Sequence, residues 1–302
     1  MKYRRLGKTN LKVSVVGIGT WQFGGNWGKQ FTQSEVDAML SRGKEVGINL
    51  LDTAACYGGD HVSENFIGDF LQRDTREDWV IASKFGHMPG WQPDEVRQTI
   101  ADSLEALQTD YIDIMQFHSG SDEQFDTPGL WEMLTEEVQS GRVRHLGISV
   151  SSGINYHYQV SQATNVGAST IQIIYNRLDR RPEEEAFDMC REQDLGVLAR
   201  VPLASGFLSG KYGPDAEFPD DDVRSNRDRE KIRETVQEVQ RIQEDEVPEG
   251  VDMAQWALGW CLKHPAVTCV IPGCKSVEQV ESNAAAAELD IVPDDHPQSW
   301  TE

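Results

Sequence analysis

Three short segments, each closing an apolar run, carry side chains whose types together fit the reduction of a carbonyl. They are Asp52-Thr53-Ala54-Ala55-Cys56-Tyr57, Ile81-Ala82-Ser83-Lys84 and Met115-Gln116-Phe117-His118. A carboxylate, a phenol, an amine and an imidazole would come together from these strand ends. A hydride delivered to a carbonyl carbon builds negative charge on the oxygen, so a proton has to arrive with it. A phenol with an unperturbed pKa near ~10 donates poorly at neutral pH unless a neighbouring cation lowers that value. Lys84 could be the cation, Asp52 could hold Lys84 charged and aimed, and His118 could grip the carbonyl oxygen. Each residue alone reads more simply as a packing or solvated group; the set carries the chemistry.

These side chains need a scaffold that gathers strand ends. Apolar runs of strand length fall at residues 13–19, 48–53, 79–84, 111–118, 145–149, 170–176, 196–201 and 268–271. Each precedes a helical pattern, at 34–46, 63–72, 93–107, 128–140, 155–165, 182–193, 253–262 and 277–286. Start signals support several helices, among them Thr32 and Ser34 before Glu35, and Pro93 followed by Asp94 and Glu95. Eightfold strand–helix alternation predicts an α/β fold, a (β/α)8 TIM barrel. A doubly wound sheet has the same periodicity, so the polar residues decide. Asp52, Lys84, His118, Ser149 and Gln172 all fall at or near the C-terminal ends of their strands, the face on which barrels build active sites. Residues 3–13 read as an N-terminal β-hairpin turning at 7–10, which would close the bottom of the barrel. The acidic, Pro-containing stretch 210–229 reads as a lid. No linker divides the chain, so residues 1–302 are expected to form one domain.

The charge is unusual. Fifty acidic residues face twenty-eight basic ones, for a net charge of −22, and only ten residues are lysine. Acids that follow Pro182 suit a helix N-terminus, but the global excess asks for another cause. At ~1 M salt the Debye length falls to about 3 Å, and self-repulsion of this size is screened. A salt-rich cytoplasm, as in halophilic microbes, is therefore expected. The surface sign argues against nucleic acid and anionic membranes. No run approaches the ~18 apolar residues of a membrane span, and no basic-then-apolar leader opens the chain. Five cysteines without C-x-x-C spacing fit a reducing cytoplasm and neither zinc nor a disulfide framework. Seven scattered histidines without H-x-H argue against a metal-dependent hydrolase, so no metal is expected.

Taken in order, the motifs resemble the aldo-keto reductases, from Gly17-Ile18-Gly19-Thr20-Trp21 to Ile271-Pro272-Gly273 and the helix after it. The family's Asp, Tyr, Lys and His fall on Asp52, Tyr57, Lys84 and His118. Gly17 to Gln22 lacks the third glycine of a Rossmann fingerprint. The resemblance implies instead an extended dinucleotide across the barrel mouth, beginning at Thr20 and Trp21. Ser149 and Gln172 match the pair that recognises the nicotinamide carboxamide, though Val150 stands where relatives often carry Asn. Pro202, Leu203, Ser205, Gly206 and Lys211 match the segment around the pyrophosphate, and Arg224 a basic residue of the lid. Gly273, Lys275, Gln279 and Asn283 match the adenosine end, where Lys275 and a helix N-terminus favour a 2′-phosphate. Ser282 stands where relatives often carry Glu. Arg200 replaces an aromatic that stacks on the nicotinamide; a planar guanidinium can also stack on a ring.

The resemblance thus implies an NADP(H)-dependent oxidoreductase that reduces aldehydes or ketones, or oxidises alcohols or polyols. A single cation at Lys275 leaves NAD(H) open. Trp21, Trp27, His87 and Trp91 would line a mouth for a small-molecule carbonyl or alcohol substrate. A second reading, from relatives that act as regulatory subunits of potassium channels, is an NADPH-binding redox sensor with slow turnover. The oligomeric state and the physiological substrate are left open.

Overall fold

The computed structural model describes residues 1–87, 90–151 and 156–300. The chain opens on a hairpin in which β1 (Tyr3–Arg5) pairs antiparallel with β2 (Lys12–Ser14), Tyr3 opposite Ser14. Eight parallel strands follow: β3 (Ile18–Gly19), β4 (Leu50–Asp52), β5 (Val80–Phe85), β6 (Ile112–His118), β7 (Val143–Ser149), β8 (Ala168–Ile174), β9 (Gly196–Arg200) and β10 (Cys269–Val270). Each neighbours the next in chain order. The sheet closes on itself through parallel bridges Val16–Val270 and Gly19–Gly273, with Gly17 N–H donating to Val270 O at 2.8 Å. Closure leaves no edge, and the expected (β/α)8 barrel is what forms.

The helices are α1 (Gln33–Glu45), α2 (Val62–Leu71), α3 (Pro93–Ala106), α4 (Asp122–Phe125), α5 (Leu130–Gln139), α6 (His157–Gln162), α7 (Pro182–Glu185), α8 (Phe187–Glu192), α9 (Arg229–Asp245), α10 (Met253–Leu262) and α11 (Val277–Ala285). Thr32 caps α1 with a reciprocal bond from Glu35, and Pro93 occupies the first turn of α3, as the sequence signals require.

Strand alternation sorts the core into two layers. Leu50, Val80, Ala82, Ile114, Leu198, Cys269 and Ile271 form one cluster with Leu6 and Val13 of the hairpin, inside the barrel. The residues of opposite parity, such as Leu51, Ile81, Met115, Ile171 and Val197, join Val36, Leu40, Ile67, Ile100 and Leu134 of the helices. Leu6 is the plug, completely buried. A Cβ on Gly196 would lie 2.5 Å from Leu6 Cδ1, so only glycine lets the plug seat. Because Gly7 bridges Leu195, just before β9 begins, the hairpin closes the N-terminal end, opposite the polar strand ends.

Arg4, 1 % exposed, passes under the barrel and donates to Leu262 O at 2.9 Å and Val267 O at 2.7 Å. It thereby satisfies the last carbonyl of α10, where a cation suits the helix dipole, and one in the connection to β10. The C-terminal stretch covers the free edge of β1, with Arg5 N–H donating to Gln298 O and Trp300 N–H to Tyr3 O.

Three expectations change in detail. The strand expected over 13–19 splits, its first part pairing in the hairpin as β2 and its last entering the barrel as β3. The helix expected over 182–193 breaks into α7 and α8 at Ala186, whose φ is −141°. Asn155, the expected start of a helix over 155–165, lies outside the described residues, and α6 begins at His157. The structure adds α9 directly after the expected lid. Its sequence is dominated by charge, and only Ile232, Val236, Val239 and Ile242 form an apolar stripe. That stripe packs on Phe207, Leu208, Met253 and Trp256, and tertiary contact rather than composition makes this helix part of the fold.

His296 gives the base of the barrel a pH dependence. Its Nδ1 accepts from Gln298 N–H at 3.1 Å and its Nε2 lies 3.3 Å from His264 O, the pattern of a neutral ring. Burial, and then the Arg4 charge, push it down to about 3. The folded pKa lies below the unfolded value of ~6.5. The contribution is therefore full above pH 6.5 and is lost as pH falls from there towards 3. Between pH 7 and pH 5 the loss is about 2 kcal/mol. Urea unfolding at these two pH values should give a smaller difference for His296→Gln than for the unaltered chain.

Candidate active site

At the C-terminal end of the barrel the inward side chains change from apolar to polar. Lys84, on β5, has a fully buried side chain, and its ammonium donates three bonds. They run to Asp52 Oδ2 at 2.9 Å, Thr53 O at 2.6 Å and Tyr57 Oη at 3.0 Å. The other Asp52 oxygen accepts from Gln172 Nε2 at 2.6 Å. Gln172 also donates to Gln116 Oε1 at 3.2 Å, and its own carbonyl accepts from Ser149 Oγ at 3.3 Å. A buried ion pair is tolerable only when its remaining hydrogen-bonding capacity is used, and here the glutamines and a backbone carbonyl use it.

Tyr57 rides on the loop between β4 and α2. Its carbonyl accepts from Ser63 N–H at 3.2 Å, and Ser63 Oγ donates to Thr20. The phenol ring lies 6.0 Å from the ring of Trp21, stacked at 23°, and 6.0 Å edge-on from His118. Burial is the largest influence on the Tyr57 phenol and pushes its pKa up, while the Lys84 ammonium pulls it down. The net direction is upward, so Lys84 opposes the burial cost without cancelling it. Burial alone would lower the Lys84 pKa, but Asp52 and Tyr57 more than reverse this and hold the ammonium charged. His118 sits well below its ordinary value because of burial, then Lys84, His87 and Arg200, and so is a neutral imidazole. It has Cys56 Sγ 3.7 Å from Nδ1.

A cleft with a cavity volume of about 460 Å³ opens above this group, within the ~300–1,000 Å³ usual for small-molecule sites. Asp52, Tyr57, His118 and Gln172 line its floor, and Lys84 lies beneath. Of the residues expected along a dinucleotide, Trp21, Arg200, Pro202, Leu203, Ser205, Gly206, Lys211, Arg224, Gly273, Lys275, Gln279 and Asn283 line the same cleft. Thr20 and Ser149 do not. Both are fully buried, Thr20 donating to Asp52 O and Ser149 to Gln172, so they shape the wall from behind.

The expected lid lies across one side. Asp222 bridges Trp27, and Val223 N–H donates to Asn26 O at 3.1 Å. Arg224, 6 % exposed, pairs with Asp222 at 2.6 Å and donates to Tyr212 Oη at 2.7 Å and Ser205 O at 3.1 Å. Lys275 donates to Trp27 O, tying the start of α11 to the same loop. The turn that follows β9 is strained: Val201, Ala204 and Ser205, none of them glycine, have positive φ, at 54°, 49° and 58°. Such clustering of costly backbone marks a functional segment.

Does this cleft fit a dinucleotide? Among the described residues its wall holds four cationic side chains, Arg200, Lys211, Arg224 and Lys275; Arg224 is paired with Asp222 and the wall's one carboxylate, Asp52, with Lys84, which leaves a net excess of three cations. In a chain of net charge −22 that reversal of sign favours a polyanion. Two donors on the wall, Arg200 Nε and Trp27 Nε1, are buried without a protein partner. The residues fit the group.

The sequence profile of the Aldo/keto reductase family matches residues 15–299. This chain belongs to that family. It is 31 % identical over 296 residues to the uncharacterized oxidoreductase YqkF of Bacillus subtilis, covering 95 % of this chain and 91 % of that protein. It is 29 % identical to the NADH-specific methylglyoxal reductase of Escherichia coli over 320 residues, covering 96 % and 95 %. The holo form of aldo-keto reductase AKR11C1 from Bacillus halodurans superposes with a TM-score of 0.79 at 29 % identity, covering 99 % of this chain and 94 % of that one. As a family member the chain is an oxidoreductase of the aldo-keto type.

Sequence reasoning missed Gln116. Its signal was available: it is a polar residue two positions before His118, so it shares the inward parity of an otherwise apolar strand. The Thr53 carbonyl, the third partner of Lys84, has no sequence signal at all. If the ion pair is a single unit, Lys84→Met leaves Asp52 buried without its cation and should cost about 3–5 kcal/mol. Adding Asp52→Asn to that variant should recover much of the loss, as read from urea unfolding midpoints.

Proposed function

We propose that the chain is an NADP(H)-dependent aldo-keto reductase that reduces aldehydes or ketones and, in reverse, oxidises the corresponding alcohols or polyols. The observation that carries this is the Lys84 ammonium, joined at once to the Asp52 carboxylate and to the Tyr57 hydroxyl, beneath the floor of a cationic cleft. When bound, the nicotinamide supplies the hydride in reduction and accepts it in oxidation. Tyr57 gives its proton to the carbonyl oxygen as that oxygen becomes an alcohol, and takes it back in the reverse direction. Lys84 stabilises the phenolate left behind, and Asp52 keeps Lys84 charged. The neutral His118 offers an N–H to the carbonyl oxygen and orients it.

Trp21, Gln172 and Arg200 would hold the nicotinamide end, with Thr20 and Ser149 behind them. Pro202, Leu203, Ser205, Gly206 and Lys211 would take the pyrophosphate, with Arg224 over it. Gly273, Lys275, Gln279 and Asn283 would take the adenosine end. The preference for NADP(H) rests on Lys275, which lines the cleft just before α11. We further read residues 1–302 as one working domain and place it in a salt-rich cytoplasm. Support is the net charge of −22, together with the absence, among the described residues, of a helix long and apolar enough to cross a membrane.

NADPH consumption with a reactive aromatic aldehyde in molar potassium chloride tests the reading. Tyr57→Phe should bind NADPH as the unaltered protein does and lose at least ~10²-fold in turnover, the scale of general-acid catalysis. Retained turnover would remove Tyr57 from the mechanism. Lys275→Met should weaken NADPH by about 10-fold and leave NADH nearly unchanged, because only the former carries the extra phosphate. Equal losses for both would move the phosphate site elsewhere.

A further inference from the structure

One basic group at the reacting end of the cleft forms no ion pair among the described residues. Arg200 ends β9 and lines the wall together with Tyr57, His118 and Gln172. Its Nη2 donates to Val150 O at 3.0 Å. Its Nε is buried without a partner, and among the described residues no carboxylate forms an ion pair with it. The neighbouring cation differs in this respect, because Lys84 is neutralised by Asp52 at 2.9 Å. A guanidinium does not give up its proton in a protein, so this part of the wall carries a fixed positive charge. Its field reaches the reacting groups: it interacts with Tyr57 and Asp52, and it helps hold His118 neutral.

The two oxidation states of a nicotinamide answer such a charge differently. The reduced ring is neutral and electron-rich, which a nearby cation attracts. The oxidised ring is a pyridinium, which a nearby cation repels, and more strongly in a site poor in water. We propose that Arg200 is an oxidation-state selector, which makes the chain hold the reduced nicotinamide cofactor in preference to the oxidised one. This rests on the nicotinamide reading of the cleft. A ligand pair bound with different affinities shifts its own equilibrium, so the bound couple is biased towards the reduced form. The consequence is a site loaded for carbonyl reduction and quick to release the spent cofactor. The same charge favours the oxyanion that forms as hydride arrives.

Binding without turnover tests the inference. NADPH, NADP⁺ and 2′,5′-ADP are titrated in molar potassium chloride, with tryptophan fluorescence as the signal, since Trp21 and Trp27 line the cleft. The proteins are the unaltered chain, Arg200→Met, Arg200→Gln and Arg200→Lys. The unaltered chain should bind NADPH at least ~10-fold more tightly than NADP⁺, the scale of one unscreened charge in a partly buried site. Arg200→Met should reduce that ratio at least ~5-fold, mainly by tightening NADP⁺, and Arg200→Lys should keep it. Binding of 2′,5′-ADP, which lacks the nicotinamide, should be the same throughout and reports an intact fold.

A ratio near one in the unaltered chain overturns the proposal. So does an unchanged ratio in Arg200→Met that still binds 2′,5′-ADP; if that variant does not fold, the ratio in Arg200→Gln decides in the same way. Failure of all three ligands to bind the unaltered chain would overturn the cofactor reading itself.

Discussion

The Lys84 ammonium is the interaction on which this site turns. A charged lysine inside a barrel is unstable unless every donor finds an acceptor, and here the three acceptors come from three different places: a strand end, a backbone carbonyl and a loop. The demand runs outward from there. Asp52 must be held by Gln172, Gln172 by Ser149, and the Tyr57 loop by Ser63 and Thr20. Each of these residues is buried or nearly so, and none would be kept there for its own packing. The polar layer therefore acts as one object, and the apolar plug below it, centred on Leu6, lets it exist without flooding the barrel.

A second constraint is electrostatic and works on a larger scale. The chain carries an acidic excess over its whole length, yet the cleft is lined by cations. Salt that screens the surface leaves a narrow, partly buried cleft less affected. The two charge patterns therefore respond to ionic strength separately. The strap that crosses the cleft belongs to the inner pattern. Asp222 and Arg224, both buried, neutralise each other within it, and the strap is held to Trp27 through the backbone.

Much of the barrel was legible because it repeats. Eight apolar runs, each followed by a helix signal, leave few alternatives, and the boundaries shifted by a few residues only. What was lost has physical reasons. Residues 13–19 looked like one strand because alternation does not reveal that the chain leaves a hairpin and enters a sheet. The helix α9 was hidden because its charged surface outweighs four apolar residues whose partners, Phe207, Leu208, Met253 and Trp256, lie elsewhere in the chain.

The sequence by itself determined which polar groups meet and in what order they stand along the chain. Asp52, Tyr57, Lys84 and His118 stand at strand ends or one loop beyond, and a barrel gathers strand ends. It also determined which stretches share one cleft, since twelve of the fourteen residues other than Gln172 expected along a dinucleotide line it. Only the tertiary structure decided how charge is balanced there. Burial raises the Tyr57 pKa more than Lys84 lowers it, Gln116 and Gln172 both donate to Asp52, and among the described residues Arg200 forms no ion pair. The reason is that desolvation and hydrogen-bond satisfaction depend on what surrounds a group in three dimensions, which residue type and spacing do not encode.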